Sequence, residues 1–195
     1  MKQILIFTLL ITQLISFEFD KKVKKDESGI WGLHHDMPYY IIPAVGITAL
    51  IEGTETRFGK TSWKAVDAFI IGQAVTELIK RTTNRVRPRY TDSPDEWFND
   101  YDDRSFPSGH VSSMASIVTP YILEYREDYP SVYLLALLPV HQMISRVKAQ
   151  AHWQSDVLAG ALVGFLSGLY SHKREYPILL YFDGDKVFTG IRYRF

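Results

Sequence analysis

The chain contains no cysteine, so neither disulfide bonds nor thiolate chemistry can contribute to its stability or function. It also has no net charge, because 22 basic residues balance 22 acidic ones. This balance gives no indication of nucleic acid as a partner. With 195 residues, of which 46% are hydrophobic, the chain is long enough for one folded domain with a buried core.

Long apolar runs are scarce as well. The uncharged runs at 37–51, 131–145 and 157–171 have 15 residues each, fewer than the roughly 18 that indicate a membrane-spanning helix. We therefore favour a helical core without spans, although short, tilted spans stay open. Within the last run, Gly160, Gly164 and Gly168 share one helix face, which predicts a close contact with another helix in either setting.

The N-terminus is typical of a secretory signal peptide. Lys2 precedes an apolar run at 4–16, which ends in the small residue Ser16. We assign residues 1–17 to a signal peptide, with an N-terminal anchor as the alternative, and 18–195 to a single domain. The basic segment 21–25 disfavours the anchor, because it would lie on the exported side. We therefore expect an exported protein in the periplasm or at the periplasmic face of a membrane, with an integral inner-membrane form still open.

Hydrophobic periodicity predicts a mostly helical chain. The predicted helices cover 39–51, 62–80, 108–125, 132–144 and 155–170, and Ser62 is the expected N-cap of the second. Near the C-terminus the period changes, and Asp183-Gly184 predicts a hairpin between strands at 178–182 and 187–193. The expected fold class is therefore an all-α bundle with a short C-terminal β-hairpin.

Three ordered blocks within 80–156 carry cations, imidazoles and a carboxylate. They read Lys80-(x6)-Arg87-Pro88, Pro107-Ser108-Gly109-His110 and Ser145-Arg146-(x5)-His152-(x3)-Asp156. Arg87 and Arg146 offer planar donor forks that match phosphate oxygens, and Lys80 adds a point charge. The blocks therefore predict a phosphate site.

The middle block adds backbone donors. Ser108 and Gly109 lie where a loop becomes a helix, and the amides at a helix start favour an anion. Glycine lets the backbone approach that anion closely. The next residue, His110, is placed to donate a proton to a leaving oxygen.

The last block predicts a nucleophile. His152 and Asp156 are four residues apart, so on a helix they share a face and the carboxylate can hold one ring nitrogen. The other nitrogen is then free to attack, as in a catalytic triad. His34-His35 lacks a second ligand pair at helical spacing, so we expect no metal site. Together the blocks predict metal-free phosphoryl transfer.

The three blocks closely resemble the signature motifs of the type 2 phosphatidic acid phosphatase (PAP2) superfamily, with every fixed position present. Phe106 and the run 153–160 are also similar to that family. The resemblance implies an all-helical fold, no cofactor and a phosphohistidine intermediate in a bacterial exported or envelope protein. It implies His152 as nucleophile, Asp156 as its partner and His110 as general acid. In the same way it implies that phosphate is bound by Lys80, Arg87, Ser108, Gly109 and Arg146.

The expected reaction is hydrolysis of a phosphomonoester or a pyrophosphate, and the resemblance favours a lipid phosphate and membrane association. A soluble periplasmic acid phosphatase of broad specificity stays open, because the hydropathy is weak. A vanadium-dependent haloperoxidase is a third interpretation, since vanadate mimics phosphate. The acidic segment 92–103 follows the first block, and we expect it to cap the site and to disfavour highly anionic substrates unless Arg89 and Arg104 offset its charge.

Overall fold

The computed structural model describes residues 19–34, 36–100, 102–174, 181–183 and 186–188. Within them, five α-helices carry the fold: α1 (Asp36–Glu52), α2 (Arg57–Thr83), α3 (Gly109–Tyr125), α4 (Leu137–Lys148) and α5 (Gln154–Lys173). Two 3-10 helices, Gly29–His34 and Pro130–Ala136, precede α1 and α4. This architecture confirms the all-helical prediction.

A short hairpin follows the helices. Strands β1 (Tyr181–Asp183) and β2 (Lys186–Phe188) pair antiparallel, with Tyr181 opposite Phe188. The remaining residues of the two predicted strands lie outside the described part of the chain, as does the predicted signal peptide at 1–17.

The predicted N-cap of α2 is wrong. The helix begins at Arg57, and its N-cap is Thr56, whose hydroxyl accepts a hydrogen bond of 2.9 Å from the amide of Gly59. Ser62 lies inside the helix, where its hydroxyl donates to the carbonyl of Phe58 at 2.9 Å. A serine inside a helix can donate its hydroxyl to the carbonyl one turn earlier. A serine at the N-cap and a serine in the helix interior therefore cannot be told apart by residue type.

The fourth predicted helix, at 132–144, is two elements in the structure. Residues Pro130–Ala136 form a 3-10 helix, and α4 covers Leu137–Lys148. Pro139 lacks an amide hydrogen and its ring clashes with a carbonyl four residues earlier, so proline is tolerated best in the first turn of an α-helix. The α-helical part therefore begins just before Pro139.

The glycine face of α5 packs closely on α3, as predicted. A Cβ atom at Gly160 would overlap the carbonyl oxygen of Ser108, and one at Gly164 would overlap that of Ser112. The amide of Ser108 also donates to the carbonyl of Asp156 at 2.9 Å. This contact brings the second and third sequence blocks together.

The buried core lies between the first three helices. Ala65, Met114 and Ile117 are buried, and side chains of α1, α2 and α3 pack against them: Ile41, Ile42, Val45, Phe69 and Tyr121. Among the described residues, none of the helices combines the length and the apolar character needed to cross a membrane.

Candidate active site

The structure gathers the three sequence blocks at one end of the bundle. Lys80 lies in the last turn of α2 and Arg146 in the last turn of α4. Ser108 is the N-cap of α3, so Gly109 and His110 form the start of that helix. His152 and Asp156 lie just before and within the first turn of α5, and Arg87 lies in the segment after α2. All eight predicted residues are therefore at helix termini or in the segments next to them.

His152 is buried and uncharged. Its Nε2 atom lies 3.2 Å from Nη1 of Arg87. A guanidinium can only donate, so Nε2 is the acceptor and the ring proton resides on Nδ1. Burial, followed by the charges of Arg87 and Arg146, lowers the pKa of His152 well below its usual value. The nitrogen that faces Arg87 thus carries a lone pair at neutral pH.

The expected contact between Asp156 and His152 is not a hydrogen bond. Nδ1 of His152 lies 3.7 Å from Oδ2 of Asp156, beyond the roughly 3.2 Å limit of a good N–H···O bond. Nδ1 has no hydrogen-bond partner among the described residues. The reason is that α5 begins at Gln154, after His152, so the pair does not share a helix face.

Asp156 instead caps its own helix and joins a buried network. Its Oδ2 accepts from the amide of Trp153 at 2.8 Å and from the hydroxyl of Ser105. Its Oδ1 accepts from Arg85 at 2.6 Å. Burial raises the pKa of Asp156, while Arg85 and the two other donors favour the carboxylate form.

Arg85 and Asp20 are the residues that sequence reasoning missed. Both side chains are fully buried, and Nη2 of Arg85 donates to Oδ2 of Asp20 at 2.6 Å. Asp20 also accepts from the amide of Ser155 at 2.7 Å, at the start of α5. The guanidinium of Arg85 lies 4.3 Å from the ring centroid of Trp97. This buried triad of Asp20, Arg85 and Asp156 ties the N-terminal segment to the floor of the site.

Lys80 and Arg87 are held mainly by backbone carbonyls. Nζ of Lys80 donates to the carbonyl of Arg104 at 2.8 Å, and Arg87 donates to the same carbonyl at 3.0 Å and to that of Ala151 at 2.7 Å. Burial and the nearby Arg87 lower the pKa of Lys80 to about 7. Neutral carbonyls thus position both side chains, and these carbonyl contacts do not neutralise a positive charge.

The acidic segment 92–103 contributes one carboxylate to this cluster. Asp103 pairs with Nε of Arg87 at 2.7 Å, and its side chain is 41% exposed. Asp92, at the other end, pairs with Lys22 and is 90% exposed. The segment therefore lines the site through Asp103 and the carbonyls that follow it.

Arg146 and Ser108 are buried polar groups that await a partner. Arg146 is 4% exposed, and its guanidinium makes no hydrogen bond or ion pair with the described residues. Burial and the charge of Arg87 lower the pKa of Arg146 to about 10. The hydroxyl of Ser108 is likewise buried without a hydrogen bond in the described part of the chain. Buried polar groups in this state are costly unless a ligand satisfies them.

Gly109 is not required by the protein's own packing. A Cβ there would meet Gln73 at 3.6 Å and Thr76 at 3.8 Å, which are ordinary contacts. Open backbone at this helix start is suited to close approach by an anion. The described residues contain no group of three metal-ligating side chains, while His35 and the side chain of His34 lie outside the description.

The buried cations, the helix start and the unprotonated imidazole form an arrangement whose charge and hydrogen-bond donors suit a phosphate group. The family model of the PAP2 superfamily matches residues 61–177, which include all three blocks. The chain belongs to the PAP2 superfamily. The resemblance stated from the motifs is thereby confirmed.

Two relatives add detail. Lipid A 1-phosphatase of Porphyromonas gingivalis is 42% identical over 95 residues, which are 46% of this chain and 19% of that protein. The alignment thus spans about a fifth of that relative. The crystal structure of Aquifex aeolicus LpxE superposes with a TM-score of 0.57 and 20% identity, covering 85% of this chain and 94% of the other. This likeness supports the helical fold.

Proposed function

We propose that this protein is a phosphatase that hydrolyses a phosphomonoester or a pyrophosphate, carried by a lipid, through a phosphohistidine at His152. The observation that carries this proposal is the orientation of His152. Its unprotonated Nε2 lies 3.2 Å from Nη1 of Arg87. Arg146, whose charge also lowers the pKa of His152, has a buried Nε atom without a hydrogen bond in the described part of the chain. A nucleophile and the charges that would hold its target phosphate therefore lie together.

The reaction has two steps. Nε2 of His152 attacks phosphorus, the bond to the leaving oxygen breaks, and His110 donates a proton to that oxygen. Water then attacks the phosphohistidine, His110 takes a proton from the water, and inorganic phosphate leaves with His152 restored. Lys80, Arg87 and Arg146 stabilise the negative charge in both transition states.

Asp156 acts on His152 at a short distance without a direct bond in the ligand-free protein. When Nε2 attacks, the ring becomes positive, and the carboxylate 3.7 Å from Nδ1 stabilises that charge. Catalytic hydrogen bonds often tighten only once substrate is bound. We propose that this contact shortens in the phosphorylated state.

A lipid substrate is supported by the surface of α5. Leu158, Leu162, Phe165 and Leu166 are all exposed, although they are large and apolar. Their spacing places them on one face of the helix whose first turn carries Asp156. An apolar face next to a phosphate site suits an enzyme that works at a membrane surface.

The name of one relative points the same way, since the protein that is 42% identical over 95 residues is a lipid A 1-phosphatase. We propose an exported enzyme at the periplasmic face, with residues 1–17 as the signal peptide or anchor and 18–195 as the catalytic domain. The buried contacts of Asp20 support a domain that begins close to residue 18.

The decisive experiment is isotope transfer. Wild type, His152→Ala and His110→Ala are incubated with a lipid substrate that carries ³²P, quenched in alkali and assayed for protein-bound label. We expect acid-labile label in wild type, none in His152→Ala, and a loss of turnover of roughly 10²–10⁴-fold in His110→Ala. Arg126→Ala, an exposed arginine at the far end of α3, is the control. Full activity in His152→Ala would refute the proposal.

The two other interpretations have their own outcomes in the same assays. Equal turnover of lipid and soluble monoesters would favour a periplasmic acid phosphatase of broad specificity. Halide oxidation with vanadate and peroxide, together with no phosphatase activity, would favour a haloperoxidase.

A further inference from the structure

A second polar cavity lies beside the reaction centre. It has a volume of about 290 Å³ and is lined by Lys25, Glu27, Arg89, Arg146 and residues 149–151. Neither histidine of the reaction centre lines it, and neither do Lys80 and Arg87. Arg146 is thus the one cation that the two spaces share among the described residues.

The charges around this cavity are unbalanced in favour of cations. Lys25 pairs with Glu27 at 2.6 Å. The guanidinium of Arg89 forms no hydrogen bond or ion pair with the described residues and lies 5.8 Å from the ring centroid of Tyr90. Arg146 is 4% exposed, and its Nε atom is buried without a partner in the described chain. Three cations therefore face one carboxylate, and one of these cations is buried and unsatisfied.

The cavity walls are anchored to each other through the backbone. The amide of Arg89 donates to the carbonyl of Gln150 at 3.0 Å. The side chain of Gln150 donates to the carbonyl of Val23 at 2.7 Å. One residue before Glu27, Asp26 bonds to Lys148 through its amide at 3.0 Å and through an ion pair at 2.8 Å. The segments that carry Lys25 and Arg89 are thus fixed to the turn that follows Arg146.

We propose that this cavity is a subsite for a second phosphate group, carried by the same substrate as the reacting phosphate. The inference rests on the proposed function and narrows it to diphosphate esters, whose two phosphates are adjacent. Arginine forks match the geometry of phosphate oxygens. Because Arg146 borders both spaces, it can contact both phosphates of one molecule. Free inorganic phosphate has the same chemistry, and the experiment separates the two sources.

The test compares a diphosphate ester with the monophosphate ester of the same alcohol. Steady-state kinetics are measured for wild type, Arg89→Ala and the control Arg126→Ala. We expect Arg89→Ala to raise the KM for the diphosphate relative to that for the monophosphate by about ten-fold or more, the loss of one charge-assisted hydrogen bond. Arg126→Ala should leave that ratio at the wild-type value. An unchanged ratio in Arg89→Ala would overturn the proposal.

Inhibition by inorganic phosphate shows whether the cavity binds free phosphate rather than a phosphate group of the substrate. If Arg89→Ala weakens phosphate inhibition of monoester hydrolysis but leaves the diphosphate KM unchanged, the cavity holds free phosphate and the substrate assignment is overturned. If wild type hydrolyses neither ester, the proposed function fails. The subsite is then tested separately, by measuring the affinities of methylenediphosphonate and of inorganic phosphate by calorimetry. The subsite is supported if wild type binds methylenediphosphonate more tightly than phosphate and Arg89→Ala abolishes this preference. It is overturned if wild type and Arg89→Ala both bind the two ligands with equal affinity.

Discussion

Replacing Arg85 with methionine tests the buried triad that supports the site. Arg85 bonds to Asp156 and to Asp20, each at 2.6 Å, and all three side chains have no exposed surface. Methionine has a similar length but no charge, so it would leave two buried carboxylates facing each other. Removal of one partner from a buried ion pair typically costs about 3–5 kcal/mol, because the remaining charge has no compensation.

That cost is a large share of the stability of an ordinary domain, which is about 5–15 kcal/mol. For a chain of this size the urea slope is roughly 2–3 kcal/mol per molar. The expected shift of the unfolding midpoint is therefore about 1–2.5 M urea, read by circular dichroism. Activity should fall as well, because Arg85 fixes the carboxylate that faces His152.

Arg57 offers a matched control on the surface. It also pairs with two carboxylates, Glu124 at 2.6 Å and Asp128 at 2.5 Å, but its side chain is 50% exposed. Water screens such pairs, so Arg57→Met should move the midpoint little. If Arg85→Met moves the midpoint no further than Arg57→Met does, the buried triad does not stabilise the fold as argued.

Two further predictions concern the helix contact and the phosphate site. Gly164→Ala should destabilise the protein by about 1–3 kcal/mol in thermal unfolding, because the new methyl group would overlap backbone atoms of α3. The control is Gly46→Ala in α1, which should not destabilise the protein because Gly46 has open space around it. Lys80 has a pKa lowered to about 7 by burial and Arg87, so it is mostly neutral at pH 8 and an arriving phosphate should restore its charge. Phosphate binding at pH 8 should therefore take up protons, and kcat/KM should fall as the pH rises above 7. Calorimetry in buffers of different ionisation enthalpy measures the proton uptake. Identical binding enthalpies in all buffers would contradict the assignment of this uptake to Lys80, and so would an uptake that persists in Lys80→Arg.

The cluster of the three blocks was predictable, whereas the network beneath it was not. Residue types at fixed spacing predict a phosphate site at Lys80, Arg87 and His152, because the chemistry itself requires those types. Arg85 is two positions from Arg87 and equally basic, and only the contacts in the folded protein show that it pairs with carboxylates. Asp20 lies 65 positions from its partner, and no local pattern links the two.

The contact between His152 and Asp156 shows a different limit. Residues four positions apart share a face only if both lie within the helix. Sequence patterns locate helix boundaries only to within a few residues. A start at Gln154 makes Asp156 a cap of its own helix and leaves His152 in the preceding turn. The same uncertainty produced the wrong N-cap at Ser62.

The site contains two kinds of positively charged side chain, one that is paired with carboxylates and one that is not. Arg85 receives the carboxylates of Asp20 and Asp156, so its charge is neutralised within the fold. Lys80 is held by carbonyls, and the buried Nε atom of Arg146 has no hydrogen bond in the described part of the chain, so both side chains stay available to an anion. A buried cation that lacks a counter-ion destabilises the ligand-free protein, and a bound phosphate removes that cost. We therefore expect the stability that the fold forgoes at these two residues to reappear as affinity for a phosphate.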